Sequence, residues 1–357
     1  AGRPELLDCP VVLMGFSRNG SRAWDMAEEL PARTAALVLG GNPGVCANFK
    51  LPQRPALAAS IPALSLAGTA DPYVDYDKPD RSRRWHLSQY PQIRSHPDVT
   101  WGMMLGWGLG HDWGDSWTVF IPYVQEVLAR RAAGAGAPLK PPPFAAGWMA
   151  AYGWTSPWPE IAPVAAFAGE RTNAIWLPGP ATAHVWRAYQ VERPLAALRA
   201  AAVGDGVELA LDAQPDGLTA VSYYDRDTLL GTILAPPFSL RVPGLARGVR
   251  TLHAALTIAG AQQPTRPLTM IDGTAVDWRQ ADAEWKAAAA PERVVRLPEA
   301  LRPVLTAALD ASAAAPPAEQ LTALRTALQG LAADPYVEQR SAAAALLKRL
   351  DAARPGG

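Results

Sequence analysis

Three residues of types that cooperate in hydrolysis, Ser17, Asp71 and His111, each follow a run of apolar residues. A neutral serine hydroxyl is a poor nucleophile at ordinary pH, so it needs a base within hydrogen-bond reach. A histidine can take the serine proton and later deliver it to the leaving group, while a carboxylate fixes the imidazole tautomer and stabilises its cationic form. These residue types therefore predict hydrolysis of an ester or amide carbonyl, with water as the final acceptor and no cofactor.

Ser17 lies in a stretch, residues 11–20, that predicts a strand, a sharp turn and a helix. The stretch reads Val-Val-Leu-Met-Gly-Phe-Ser-Arg-Asn-Gly, and helical spacing of apolar residues follows it. Such a turn raises the serine hydroxyl above the sheet, and small flanking residues let strand and helix approach closely. The second small position is Asn19, with Gly20 one residue later, and asparagine tolerates left-handed backbone geometry. By itself the motif is also compatible with an ordinary connection between a strand and a helix.

The elements around the other two residues are predicted to be strands of one parallel sheet. Further apolar runs stand at residues 35–40, 62–68 and 99–105. Because these runs show no polar alternation and helices separate them, we expect a parallel sheet covered on both faces. Asp71 and His111 each come just past a strand end, and the carboxyl ends of parallel strands are where such sheets carry their chemistry. The alternative is that Asp71 caps a turn and His111 packs in a loop.

The turn serine, the acid in Gly-Thr-Ala-Asp-Pro-Tyr-Val and the histidine in Gly-Leu-Gly-His resemble the α/β-hydrolase family, in that family's order of Ser, Asp and His. The resemblance covers about residues 5–132 and only the second half of that fold. It implies an α/β fold class: a partial α/β-hydrolase with a parallel sheet flanked by helices. We therefore expect a fragment, or a missing N-terminal half supplied by another polypeptide, and an unpaired edge on the strand at residues 11–14.

The same resemblance implies a serine esterase whose oxyanion hole is incomplete. One donor would be the backbone N–H of Arg18, and the family's other donor comes from the missing half, so we expect the isolated chain to be inactive or very slow. The pattern Gly-x-Ser-Arg-x-Gly also resembles the elbow of glucuronoyl esterases, in which the arginine side chain helps to hold the oxyanion. The segment from Ser17 to His111 is too short for that family, and a solvent-facing arginine is the simpler interpretation.

Other titratable residues are weaker candidates. Asp75 or Asp77 could replace Asp71 only with a longer reach. Four further histidines stand in a polar helix, a loop or the later regions: His86, His96, His184 and His253. No His, Cys and carboxylate cluster has metal-ligand spacing, so no metal site is predicted.

Aromatic residues surround the predicted histidine loop. Phe16, Trp107 and Trp113 are the candidates for the wall of a substrate pocket, because rings offer a large apolar area. Packing of the helix that follows the loop accounts for the aromatic residues equally well.

The chain is predicted to have four regions: a hydrolase half at 1–133, a Pro/Trp-rich linker region at 134–192, an Ig-like β-sandwich at 193–273 and a helical tail at 274–357. The sandwich prediction rests on short strands separated by turns, and on residues 220–232, which resemble bacterial Ig-like modules appended to extracellular enzymes. This resemblance favours a secreted, periplasmic or cell-envelope protein. Leucine stripes in the tail indicate helices that pack together.

Charge and hydropathy exclude some partners. The chain has 33 Lys and Arg against 33 Asp and Glu, so no electrostatic argument favours nucleic acid, and no apolar span is long enough for a transmembrane segment. Cys9 and Cys46 are expected at opposite ends of the sheet, which argues against a disulfide. The expected partner is a small-molecule or polymer ester substrate. The rival interpretation is a non-catalytic extracellular binding or adhesion protein with a degenerate hydrolase half.

Overall fold

The computed structural model describes residues 9–41, 60–71, 98–134, 137–142, 144–152, 158–289, 291–310, 314–334 and 337–353. The chain divides into two compact units, Ala1–Val276 and Asp277–Gly357. Asp75, Asp77, His86, His96 and Cys46 lie outside the described residues, so the predictions about them stay predictions.

The first unit begins with a parallel sheet. Its strands, in spatial order, are β1 (Val11–Phe16), β2 (Thr34–Gly40), β3 (Ala63–Gly68) and β4 (Trp101–Gly106). Every residue of β2, β3 and β4 is buried, as expected for apolar strands with covered faces. In the described part of the chain β1 pairs with β2 alone and is the first strand of this sheet. Helices α1 (Arg18–Glu29) and α2 (Trp117–Arg131) pack on this sheet.

A second, antiparallel sheet occupies the region predicted as a linker. Its strands, in spatial order, are β6 (Ile161–Pro163), β5 (Trp148–Ala151) and β7 (Ala174–Leu177). Strand β7 packs against β4, where Gly102 is required because a Cβ there would lie 2.8 Å from the carbonyl oxygen of Trp176. Helix α3 (Pro180–Tyr189) follows, and a carboxylate of α2, Glu126, accepts hydrogen bonds from the amides of Ala181 and Thr182 at its start.

The outer edge of β4 is covered by side chains from the end of α3. The Trp186 indole donates to the carbonyl of Met103 at 2.7 Å, and the amide of Leu105 donates to Oε1 of Gln190 at 3.2 Å. These bonds satisfy backbone groups that an edge strand would otherwise leave open.

The last part of the first unit, residues 198–276, is a pair of antiparallel sheets that we call the two-sheet module. The strands of one sheet, in spatial order, are β12 (Leu240–Val242), β9 (Gly206–Leu211) and β8 (Leu198–Val203). The strands of the other sheet, in spatial order, are β11 (Thr228–Ile233), β10 (Leu218–Asp225), β13 (Val249–Ile258), β15 (Leu268–Ile271) and β16 (Thr274–Val276). Strand β14 (Ala261–Pro264) also pairs with β13. Both sheets contribute to one core, with Leu209 from the first and Val221, Tyr223 and Leu252 from the second.

The second unit is helical in its described residues. Its helices are α4 (Trp278–Ala289), α5 (Pro291–Val294), α6 (Arg302–Leu309), α7 (Ala318–Leu331) and α8 (Val337–Ala353). Leu324 and Leu328 of α7 share a buried core with Leu346 and Leu350 of α8, which confirms the predicted packing of the leucine stripes. Among the described residues, no helix combines the length and apolar character needed to cross a membrane.

The predicted fold class, a partial α/β-hydrolase followed by an Ig-like sandwich and a helical tail, is wrong. Of the sixteen strands in the described ranges, only β1 to β4 pair in parallel, and the other twelve form antiparallel sheets. The long apolar runs before residue 106 dominate the sequence pattern, whereas β5, β6 and β7 have only three or four residues each, too few to show a period. The architecture is mostly antiparallel with one small parallel sheet.

Candidate active site

Ser17 occupies a turn with an unusual backbone conformation. Its φ of 55° and ψ of −129° lie in a region that residues other than glycine rarely adopt. The turn joins β1 directly to α1, and the amide of Ser17 donates to the carbonyl of Gly40 at 2.7 Å. Gly15 permits the close approach, because a Cβ there would lie 2.2 Å from the carbonyl oxygen of Asn19 and 2.6 Å from Cα of Gly20. Strained residues of this kind persist where the surroundings enforce them, which is common at functional sites.

Ser17 and the first residue of α1 are adjacent at this turn. Ser17 precedes α1 without making a side-chain capping bond, so its hydroxyl is not used to stabilise the helix. Arg18 is the first residue of α1, a position at which the backbone N–H has no acceptor within the helix. The Arg18 side chain is exposed. The oxyanion role of the Arg18 amide stays a prediction, and the exposed side chain is consistent with the simpler interpretation of a solvent-facing arginine.

Asp71 and His111 form the pair that the sequence predicts. Nδ1 of His111 lies 2.8 Å from Oδ2 of Asp71, with 21% of the histidine side chain and none of the aspartate side chain exposed. An ionised carboxylate only accepts hydrogen bonds, so beside an ionised Asp71 the donor in this contact is Nδ1 of His111, and Nε2 is the other ring nitrogen. In Ser-His-Asp enzymes a buried carboxylate bonded to Nδ1 orients the imidazole, and Nε2 is the atom that transfers protons.

Contacts between the loops after β3 and β4 hold this pair together. The amide of Ala70 donates to the carbonyl of Leu109 at 2.9 Å, and the amide of Gly108 donates to Oγ1 of Thr69 at 2.8 Å. Gly68 is required at this crossing, because a Cβ there would lie 2.4 Å from the carbonyl oxygen of Leu109. Thr69, whose hydroxyl oxygen accepts this hydrogen bond and so links the two loops, is not among the residues predicted from the sequence. A Thr two residues before a candidate acid is a signal too common to be recognised alone.

Aromatic contacts connect the serine turn to the histidine loop. The ring of Phe16, the residue before Ser17, packs edge-on against the His111 imidazole with 4.9 Å between centroids. The Trp113 ring lies 4.9 Å from Phe16 on a tilted plane. Room for Phe16 comes from the end of β2, where a Cβ at Gly41 would lie 2.2 Å from Cζ of the Phe16 ring. The structure thus places Phe16 against the imidazole and Trp113 against Phe16, and a role for either ring in binding substrate stays a prediction.

Trp107, the third predicted pocket residue, is engaged differently. Its indole N–H donates to the carbonyl of Gln190 at 2.8 Å, just past the end of α3. Its own carbonyl accepts a hydrogen bond of 3.2 Å from Arg266 of the two-sheet module. These contacts make Trp107 an anchor of the histidine loop, and a role in binding substrate stays a prediction.

The two remaining described histidines belong to a separate cluster. His184 of α3 and His253 of β13 both contact Tyr224, whose ring stacks on His253 at 5.0 Å. Burial, aided by the charge of Arg187, lowers the pKa of His184 to about 4. Burial lowers the pKa of His253 to about 3, although the carbonyl of Arg226, 2.8 Å from its Nε2, acts in the opposite direction. In the ranges that the structure covers, no three His, Cys, Asp or Glu side chains gather as a metal site.

No protein family model matches this chain, and no curated protein matches it. Among solved structures, it is similar to the fibronectin(III)-like modules of Clostridium thermocellum CbhA, at 16% identity over 22% of this chain and 93% of that chain, with a TM-score of 0.20. It is also similar to the Clostridium perfringens spore cortex lytic enzyme SleM, at 8% identity over 73% and 90% of the two chains, with a TM-score of 0.19. A Bacteroides uniformis β-glucuronidase aligns at 12% identity over 73% and 28%, with a TM-score of 0.20. Similarities of this size carry no argument about function.

Proposed function

We propose that this chain is a serine hydrolase of the carboxylic ester class, with Ser17 as nucleophile, His111 as general base and Asp71 as the carboxylate that orients the imidazole. The observation that carries the proposal is the 2.8 Å contact between the buried Asp71 carboxylate and His111 Nδ1. The ring of Phe16, adjacent in sequence to Ser17, lies against the same imidazole. The strained backbone of Ser17 supports the proposal independently.

Each residue has a defined part in the reaction. Nε2 of His111 takes the Ser17 proton as Oγ attacks the ester carbonyl, and returns it to the leaving alkoxide. The buried Asp71 carboxylate stabilises the imidazolium that forms between these two steps. The backbone N–H of Arg18 donates to the oxyanion of the tetrahedral intermediate. Water then attacks the acyl-enzyme with His111 again acting as base.

With Arg18 as the assigned oxyanion donor, we expect acylation by strong electrophiles and slow turnover of ordinary esters. A missing donor lowers kcat by about 10²–10³-fold in acyl-transfer enzymes. A fluorophosphonate probe therefore suits the test, because it reports on the nucleophile and its base without requiring turnover.

The experiment is fluorophosphonate labelling of the full chain, with the labelled peptide identified by mass spectrometry. We expect one label on Ser17 and no label in Ser17→Ala. Ser21→Ala, a matched control in the helix that follows Ser17, should label normally. His111→Ala should slow labelling strongly. If Ser17→Ala is still labelled, the nucleophile is a residue other than Ser17. No labelling of the unaltered chain would reject the hydrolase and favour the binding protein.

A further inference from the structure

The conformation of the loop that carries His111 depends on contacts with other parts of the chain. Between Trp107 and Asp115 the sequence is Gly-Leu-Gly-His-Asp-Trp-Gly, so three of seven residues are glycine. Gly108 and Gly114 have φ values of 68° and 48°, in the left-handed region. Glycine loses more conformational entropy on ordering than any other residue, so a loop of this composition depends on external contacts. His111 stands four residues from each end.

A single guanidinium from the two-sheet module contacts both ends of that loop. Arg266, between β14 and β15, donates from Nη2 to the carbonyl of Trp107 at 3.2 Å. Its Nη1 lies 3.6 Å from Oδ2 of Asp115, with about a quarter of each side chain exposed, 25% and 29%. A weaker bond of 3.5 Å joins Nη2 to the carbonyl of Glu192. The planar fork of arginine can reach a carbonyl and a carboxylate together, which the single ammonium of lysine cannot do in the same geometry.

The end of α3 completes the support from the other side. The hydroxyl of Tyr189 donates to Oδ1 of Asp115 at 2.9 Å, while the indole of Trp107 donates to the carbonyl of Gln190. The Asp115 carboxylate thus binds Tyr189 with one oxygen and Arg266 with the other. Arg266 therefore takes part in the contacts at both ends of the histidine loop.

We propose that Arg266 is a positioning residue for His111, so that the two-sheet module forms part of the catalytic apparatus. The inference rests on the proposed hydrolase function and adds to it a role for the module. Without Arg266, the Trp107 carbonyl and the Asp115 carboxylate lose their common partner, and His111 moves relative to Ser17. A misplacement of about 1 Å in a catalytic group can cost about 10²-fold in rate.

The test compares labelling of Ser17 by the fluorophosphonate in Arg266→Met and in a matched control, Arg250→Met. Arg250 lies in β13 of the same module and pairs with Asp225 at 3.2 Å, and its other hydrogen bond goes to the carbonyl of Arg247. We expect Arg266→Met to lower the maximum labelling rate about 10- to 100-fold with the half-saturating probe concentration unchanged within about twofold. Arg250→Met should label like the unaltered chain. Thermal unfolding, followed in parallel, separates loss of fold from loss of position.

Two further variants keep the test decisive if Arg266→Met folds poorly. Arg266→Lys keeps the charge near Asp115 and should recover only part of the labelling rate. Asp115→Asn removes the ion pair but keeps an acceptor for Tyr189, and its effect should be non-additive with Arg266→Met, since the two residues act through one contact. Additive effects, or equal labelling rates in Arg266→Met and Arg250→Met, would overturn the positioning role alone. An unaltered chain that fails to label would instead overturn the proposed function, and the positioning role with it.

Discussion

The backbone strain at Ser17 predicts that activity and stability can be separated at one position. Ser17→Ala keeps a Cβ at φ 55° and ψ −129°, whereas Ser17→Gly removes it. Both variants lack the hydroxyl and should be inactive. The difference in stability between them isolates the cost of holding a Cβ in this conformation.

The magnitude follows from two opposing effects. A residue held in a sparsely populated region of φ and ψ costs about 1–3 kcal/mol. Glycine also increases the conformational entropy of the unfolded chain, which lowers the free energy of unfolding by about 0.4–1 kcal/mol relative to alanine. The free energy of unfolding of Ser17→Gly should therefore exceed that of Ser17→Ala by about 1 kcal/mol. For a unit of this size, that difference raises Tm by about 2–4 °C.

The assay is thermal and urea unfolding of both variants, with the same pair of substitutions at Ser21 as control. Ser21 lies in α1, four residues further along, where the backbone is helical. There the order must reverse, with glycine about 1 kcal/mol less stable than alanine. If Ser17→Gly proves no more stable than Ser17→Ala while the Ser21 pair behaves as stated, the turn is not strained and this support for the nucleophile is lost.

Three further predictions test other parts of the structure. Asp71→Asn should slow labelling of Ser17 on the order of 10³-fold, because an amide favours the wrong imidazole tautomer. A decrease in labelling rate of less than about tenfold would contradict the role given to the contact between Asp71 and His111. Gly15→Ala should lower the free energy of unfolding by about 3 kcal/mol or more in urea titrations, since the new methyl group would meet the Asn19 carbonyl at 2.2 Å. Burial lowers the pKa of His253 to about 3, whereas the unfolded value is 6.5, so between these pH values the unfolded chain binds more protons than the folded chain. The contribution of His253 to the free energy of unfolding is therefore fully present above pH 6.5 and is lost as the pH falls. Between pH 7 and pH 5 this group should cost about 2 kcal/mol of unfolding free energy, and His184, whose pKa is lowered to about 4, should add a similar loss. The loss in His253→Gln should therefore be about 2 kcal/mol smaller than in the unaltered chain, and equal losses in the two proteins would contradict the role given to His253.

Several features of the candidate site were predictable from sequence because local rules govern them. Gly15 and Gly20 around a serine after an apolar run indicate a tight connection between strand and helix, and β1 and α1 have that form. Asp71 and His111 were placed past strand ends by the runs before them, and parallel pairing of β3 with β4 then brings those ends side by side. The overall fold class was not predictable in this way, because the short strands β5 to β7 lack a period.

The sequence by itself determined which side chains are candidates for a reaction, since residue type and position after an apolar run are local properties. Only the tertiary structure decided what holds them in place. Arg266 reaches the Trp107 carbonyl from 159 residues further along the chain, and Thr69 fastens the acid loop to the histidine loop from 39 residues away. Such contacts depend on how whole sheets pack, and no pattern within a short window of sequence encodes them.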